Sequence, residues 1–327
     1  MTRPIIVPLD GSALADTAIP HAAALAAVYA CGLHLVRVHV TMLGQAAPES
    51  PGAISDPAWD ESFRSGAASW IMAKAAEVRA RYPFNVTCEL RIGRQADEIT
   101  DAARERDARA IVCTTHGHGG WAPQWVGSIT DGIIRHSSCP VLAMSEDAVR
   151  REPGIARILV PLDGSDNSAA ILPHVQELAL ASGAAVDLYR VVSPPWVGDA
   201  LNALQSGHVD HFGVDPAAYH AKHELERTAQ NLAVHGIHAT SCVEVATNPT
   251  RAILDRIVLT NPDVVALTTH GRGVSRLFMG SVADKVMRAA ARPALCWRPP
   301  GTYAPHGSHA PSDADRMFAT AASGATM

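Results

Sequence analysis

The fold class predicted by this sequence is α/β: two tandem doubly wound domains, each a mainly parallel five-stranded sheet with helices on both faces. One observation behind this is an internal repeat. Ile5-Ile6-Val7-Pro8-Leu9-Asp10-Gly11-Ser12 returns as Ile158-Leu159-Val160-Pro161-Leu162-Asp163-Gly164-Ser165, 153 residues later. Thr114-Thr115-His116-Gly117 returns as Thr268-Thr269-His270-Gly271 at a shift of 154, and Gly127-Ser128 as Gly280-Ser281 at 153. An offset held that closely means two copies of one domain. A second observation is that short apolar runs alternate with helical stretches in each copy, as a parallel sheet covered on both faces requires. Right-handed crossovers then give a Rossmann-like winding. The third is size: 327 residues, 47% hydrophobic and 18% charged, suit two domains that each bury a core.

In the first copy residues 4–9 read as a strand, after which Ser12 is placed to cap a helix ending before Gly32. Residues 33–40 form the next strand, and 41–57, rich in Pro, Gly and Ser, a loop. Phe63, Ala67, Trp70, Ile71, Ala75 and Val78 recur at helical spacing. Residues 86–91 alternate as a strand, 96–106 read as helix and 110–114 as a buried strand; Gly127-Ser128 opens another helix and 140–144 is the fifth strand. The second copy repeats this order, with strands at 157–162, 185–192, 240–245, 263–268 and 293–297. The domains are therefore expected at 1–146 and 155–298, with a polar hinge over 145–156 and a flexible tail over 299–327.

A net charge of −5 offers no general attraction for nucleic acid or anionic membrane. No apolar run is long enough for a membrane span, and Met1-Thr2-Arg3-Pro4 leads straight into a strand without a signal-peptide core. The six cysteines (Cys31, Cys88, Cys113, Cys139, Cys242, Cys296) contain no C-x-x-C pair and mostly sit in apolar stretches. Buried thiols in a reducing cytoplasm are the expectation.

Ligands of doubly wound sheets bind beyond the carboxyl ends of the strands, near the switch in strand order. After strand 110–114 comes Thr115-His116-Gly117-His118-Gly119-Gly120, and ten residues past Gly117 stands Gly127, with Ser128 at a predicted helix start. Glycines let the backbone approach a ligand, and the first amides of a helix have no intrahelical partner. Such a loop is built to cradle phosphate, although a Gly-rich turn also serves tight packing alone. It is neither a P-loop nor G-x-G-x-x-G.

Val-Pro-Leu-Asp-Gly-Ser, Thr-Thr-His-Gly-x-Gly and the Gly-Ser before the last helix together resemble the universal stress protein family. The likeness covers nearly the whole chain except its tail and implies the tandem form, an internal pseudo-dimer joined through the fifth strands. The ATP-binding branch carries Gly, two residues, Gly, nine residues, then Gly-Ser or Gly-Thr. Gly117, nine residues and Gly127-Ser128 match it; the leading glycine falls on Thr114 and, in the second copy, on Thr268. Only eight residues separate Gly271 from Gly280-Ser281, while Arg272 and Arg276 bring charge to that loop. Site one therefore ranks ahead of site two.

The resemblance further implies that Asp10 and Asp163 face the adenosine part of a nucleotide; the alternative is an Asx-type turn with Gly11 or Gly164. Val40 matches the position whose backbone contacts adenine, where the second copy has Ser193. Ile129 and Val282 would contribute amides at the helix starts. The implied function is binding of ATP, with Mg²⁺ on its phosphates, as a regulatory or sensing event in stress adaptation. No catalytic set is recognisable, so hydrolysis is expected to be slow at most. Exposed edge strands make a homodimer of the two-domain chain an expectation. Two rivals stay open: a nucleotide-independent protein–protein signalling module, and an enzyme of the wider adenine-nucleotide α-hydrolase-like group.

The sixteen histidines do not shift this reading. His208, His211, His220 and His223 show loose i, i+3 spacing around a predicted helix start in a loop-like stretch, where solvated side chains are expected rather than a metal site. His116 and His270 lack a paired nucleophile, so packing beneath the loop is the expectation. Trp59, Trp70, Trp121, Trp125, Trp196 and Trp297 have too little basic charge between them for a base-stacking platform; Trp121 and Trp125, beside the ligand loop, are expected to pack on the partner domain, with a bound base as the alternative.

Overall fold

A computed structural model describes residues 3–40, 57–115, 127–194, 216–269 and 280–299, with side chains 57–59 excepted. Expectations on the loop 41–56, on His116, Gly117, Trp121 and Trp125, on His208 and His211, on His270, Gly271, Arg272 and Arg276, and on the tail from 300 lie outside those residues.

The first copy contributes β1 (Ile5–Pro8), α1 (Ala13–Asp16), α2 (Ala18–Val28), β2 (Leu33–His39), α3 (Pro57–Arg81), β3 (Val86–Ile92), α4 (Gln95–Glu105), β4 (Ala110–Thr114), α5 (Ser128–His136) and β5 (Val141–Met144). A short helix, α6 (Glu146–Val149), follows. The second copy contributes β6 (Arg157–Pro161), α7 (Asp166–Ala169), α8 (Leu172–Ser182), β7 (Ala185–Val192), α9 (Pro216–Val234), β8 (Ala239–Val245), α10 (Pro249–Thr260), β9 (Val264–Thr268), α11 (Ser281–Ala289) and β10 (Ala294–Trp297).

The strands form one ten-stranded sheet in the order β3-β2-β1-β4-β5-β10-β9-β6-β7-β8. Pairing is parallel within each copy. It turns antiparallel where β5 meets β10, with Leu142 opposite Leu295 and Val141 opposite Cys296. The copies are thus joined through their fifth strands. Buried residues from both copies share the core on each face of the sheet. The central strands are apolar throughout because helices cover both faces; β4 and β9 are buried at every position.

The helix expected after Ser12 is divided. Pro20 and its repeat mate Pro173 cause this in both copies, since a proline lacks the N–H and crowds the carbonyl four residues back. Those carbonyls belong to Asp16 and Ala169, the last residues of α1 and α7. The hinge 145–156 is also more ordered than expected: the Ser145 hydroxyl accepts from the Ala148 amide and caps α6. His220 and His223, expected around a helix start, lie within α9, whose buried Ala221, Leu225, Ala229 and Leu232 keep helical spacing.

Candidate functional site

Each copy's strand order reverses between its first and fourth strands, β1 and β4 in one half, β6 and β9 in the other. A crevice opens at that switch point beyond the carboxyl ends of the strands, where the fold places ligands. Cleft one encloses about 450 Å³ and is lined by residues that include Asp10, Thr114, Gly127, Ser128 and Ile129. Cleft two encloses about 280 Å³, and Asp163, Thr268, Gly280, Ser281 and Val282 line it. The sequence-predicted positions on the described residues thus converge, with one exception: Val40 follows β2 but is not among the lining residues of cleft one, where Val36, Arg37 and Val38 stand instead.

The walls follow from local rules. Gly11 and Gly164 adopt φ of +87° and +81°, a left-handed conformation that suits glycine. They permit a tight turn in which the Ser12 amide donates to Asp10 Oδ1 at 2.8 Å. In the second copy both the amide and the hydroxyl of Ser165 donate to Asp163 Oδ1, at 2.9 and 2.6 Å. The Asx turn is therefore present in both halves, while each carboxylate also lines its cleft. Ser12 and Ser165 then accept the Ala15 and Ser168 amides and cap the next helix.

On the opposite wall Gly127 and Gly280 are N-caps that have no side-chain cap hydrogen bond. Their own amides donate to Thr115 and Thr269 carbonyls at 2.8 and 2.5 Å, which ties each helix start to the end of β4 or β9. The first-turn amides of α5 and α11 are left without intrahelical partners, and the positive helix end points at the crevice. Ser128 and Ser281 are exposed there. An anion at such a position gains typically 0.3–1 kcal/mol, up to about 2 when partly buried. In cleft one the buried Thr130 hydroxyl donates to the Thr114 carbonyl at 3.0 Å and braces this corner.

Arg37, Gln95, Thr115 and Thr130 also line cleft one and were not among the expected site residues. Arg37 lies over Gly11, its Nη1 3.2 Å from where a Cβ would stand, and its guanidinium stacks on Trp70 at 4.5 Å. Burial lowers its pKa while the Asp10 carboxylate supports its charge. The signal was available in the sequence: Arg37 is a charge set in the apolar run of β2, and Arg190 repeats it 153 residues later.

The chemistry on offer is binding. Orphan amides, a hydroxyl and a guanidinium face one crevice, and these suit an anionic ligand. Cys113, on the floor, has its thiol pushed up to about 12 by burial and is no nucleophile at neutral pH. Among the described residues no group of three His, Cys, Asp or Glu side chains is arranged to hold a metal ion. Among them, too, no helix is long and apolar enough to cross a membrane.

Comparison with known proteins places this architecture. A universal stress protein of Mycobacterium tuberculosis (strain ATCC 25618 / H37Rv) is 29% identical over 302 residues, which span 90% of this chain and 96% of that protein. The crystal structure of a universal stress protein from Archaeoglobus fulgidus DSM 4304 superposes with a TM-score of 0.66 at 16% identity, covering 91% of this chain and 99% of that one. A functionally unknown protein from Pseudomonas aeruginosa PAO1 gives 0.60 at 17% identity, with 91% and 93% covered. At those identities the structural likeness is one of fold. The model of the universal stress protein family matches residues 1–145 and again 154–298. The chain belongs to the universal stress protein family, in tandem two-domain form.

Proposed function

We propose that this chain binds an adenine nucleotide, ATP with Mg²⁺, as a regulator or sensor in stress adaptation rather than as an enzyme. The observation that carries the reading is cleft one, where the Asp10 turn and the Gly127-Ser128 helix start face each other across a single crevice. Its volume, about 450 Å³, falls within the range of roughly 300–1,000 Å³ usual for small-molecule pockets. The α5 amides and Ser128 would hold phosphate, Arg37 would add charge, and Asp10 would accept from a ribose or base. Mg²⁺ would arrive on the phosphates, since Asp10 is the only carboxylate lining the cleft among the described residues. Among the described residues lining the cleft none is placed to position a water or clamp a transition state, so turnover beyond slow hydrolysis is not proposed.

We place the protein in the cytoplasm, because its six cysteines are free thiols, as a reducing compartment keeps them. The outer strands β3 and β8 end the sheet, which leaves room for a homodimer of the two-domain chain. The competing reading is a signalling module without nucleotide, favoured by Thr114 and Thr268 at the positions where the ATP-binding pattern has glycine.

Calorimetric titration of Mg-ATP into the wild type and a Gly127→Ala variant separates the two. Gly127 has φ −56° and ψ 143°, which alanine tolerates, so the substitution adds bulk at the cradle without backbone strain. Binding that weakens in the variant supports the nucleotide reading. Absence of heat in the wild type, with no shift in melting temperature, leaves the signalling module.

A further inference from the structure

Resting on the nucleotide reading of cleft one, we propose that Tyr189 and Leu267 close cleft two to nucleotide, so that the two-domain chain binds one nucleotide rather than two. The two floors correspond position by position. Val36 in cleft one is Tyr189 in cleft two, Cys113 is Leu267, Val38 is Val191, Ile99 is Ile253 and Ile133 is Val286. Two of these exchanges add bulk, a phenol ring for an isopropyl group and an isobutyl group for a thiol. Cleft two measures about 280 Å³ against about 450 Å³ for cleft one, a difference in the direction of the added bulk.

The added bulk is fixed in place. Tyr189 is fully buried, and its hydroxyl donates to Glu244 Oε2 at 2.5 Å. Arg256 lies 5.5 Å from its ring centroid and is itself held by the buried Asp187 carboxylate at 2.8 Å. A ligand that needed the phenol to swing aside would have to break this arrangement and leave Glu244 without its donor.

Charge differs in the same direction. Arg37 lines cleft one stacked on Trp70, with its charge supported by the Asp10 carboxylate of the same cleft. Its repeat mate Arg190 donates to Glu224 at 2.5 Å and is not among the residues lining cleft two. Glu224 occupies the position that Trp70 holds in the first copy, 154 residues earlier. The guanidinium of the second copy is thus engaged outside its cleft, where that of the first stands in the cleft wall. The brace at the helix start is also missing, because Ala283 stands where Thr130 bonds the Thr114 carbonyl. Size, charge and support all favour cleft one.

Equilibrium dialysis with labelled ATP and Mg²⁺ counts nucleotides per full-length chain, with melting temperatures read for every variant. The wild type is expected to hold one. Val36→Tyr transplants the obstruction and should weaken that site by at least about tenfold. Tyr189→Val combined with Leu267→Cys should add a second bound nucleotide. Because one change removes a site and the other creates one, misfolding cannot imitate both results. Two nucleotides on the wild type, or unchanged affinity in Val36→Tyr, would overturn the inference and leave the nucleotide reading standing. So would a natively folded Tyr189→Val/Leu267→Cys chain that still holds one. A wild type that holds none would overturn both.

Discussion

Arg256→Ala should be among the most damaging single substitutions outside the apolar core. Asp187 sits on β7 with 6% of its side chain exposed, and Arg256 reaches it from α10 at 2.8 Å with 19% of its own exposed. Both carboxylate oxygens accept from the guanidinium, and the Thr240 hydroxyl adds a further bond at 3.2 Å. Removing the arginine strands a desolvated carboxylate, and breaking a buried pair in this way costs about 3–5 kcal/mol. That is a large share of the 5–15 kcal/mol typical of a folded domain. The first copy supplies the control. His34 stands at the Asp187 position with Nδ1 2.7 Å from the Thr87 hydroxyl, and Ala102 stands at the Arg256 position, each at the repeat offset of 153 or 154. The double change Asp187→His/Arg256→Ala rebuilds the His–Thr part of that arrangement, with Cys242 where Glu89 lies 3.3 Å from His34 Nε2, and should recover part of the loss. Urea denaturation followed by circular dichroism reads both. A loss below about 1 kcal/mol for Arg256→Ala would mean that the pair is not buried in solution, because exposed pairs behave that way and buried ones do not.

Other consequences are as direct. Gly32→Ala would set a Cβ 2.4 Å from the Asn85 carbonyl, which accepts the Leu33 amide, so the start of the β2–β3 pairing must shift; a loss of about 1–3 kcal/mol in urea denaturation is expected. Leu295→Ala removes the partner of Leu142 at the joint between the copies and should cost about 2–5 kcal/mol, with both halves unfolding in a single lowered transition by calorimetry. Burial lowers the pKa of His21, His34 and His174, so the folded state holds them neutral while the unfolded chain takes up protons near pH 6.5. Stability should accordingly fall as pH drops below about 6.5, and a flat denaturation midpoint between pH 7.5 and 5.5 would contradict this. Burial raises the thiols of Cys113 and Cys296 to about 12 and of Cys139 to about 11, so a thiol reagent at pH 8 should modify only the half-buried Cys88 and Cys242 quickly in the native protein.

The repeat made most of the architecture readable. Strand 110–114 coincides with β4 because a buried parallel strand is a nearly continuous apolar run, and 185–192 coincides with β7 although Asp187 and Arg190 interrupt it. The split after α1 was written in Pro20, but a proline three residues into a helix reads equally well as a tolerated start, and only the paired break before Pro173 decides it. His220 and His223 read as lying around a helix start, and the spacing of Ala221 and Leu225 carries α9 through both. The cleft was legible where it depends on special backbone, at Gly11, Gly127 and their mates. Arg37 and Tyr189 were less so, because the side chains that shape a floor come from β2 and β7, far in sequence from the glycine loops. Aligning the copies residue by residue exposes both.

A crystal structure of the full chain grown with ATP and Mg²⁺ would show whether cleft one is the nucleotide site. Nucleotide density is expected in cleft one, with phosphate oxygens at the Ser128–Ile129 amides and the adenosine part toward Asp10 and Arg37, and none in cleft two. Density in cleft two alone, or a nucleotide seated away from the α5 helix start, would contradict this.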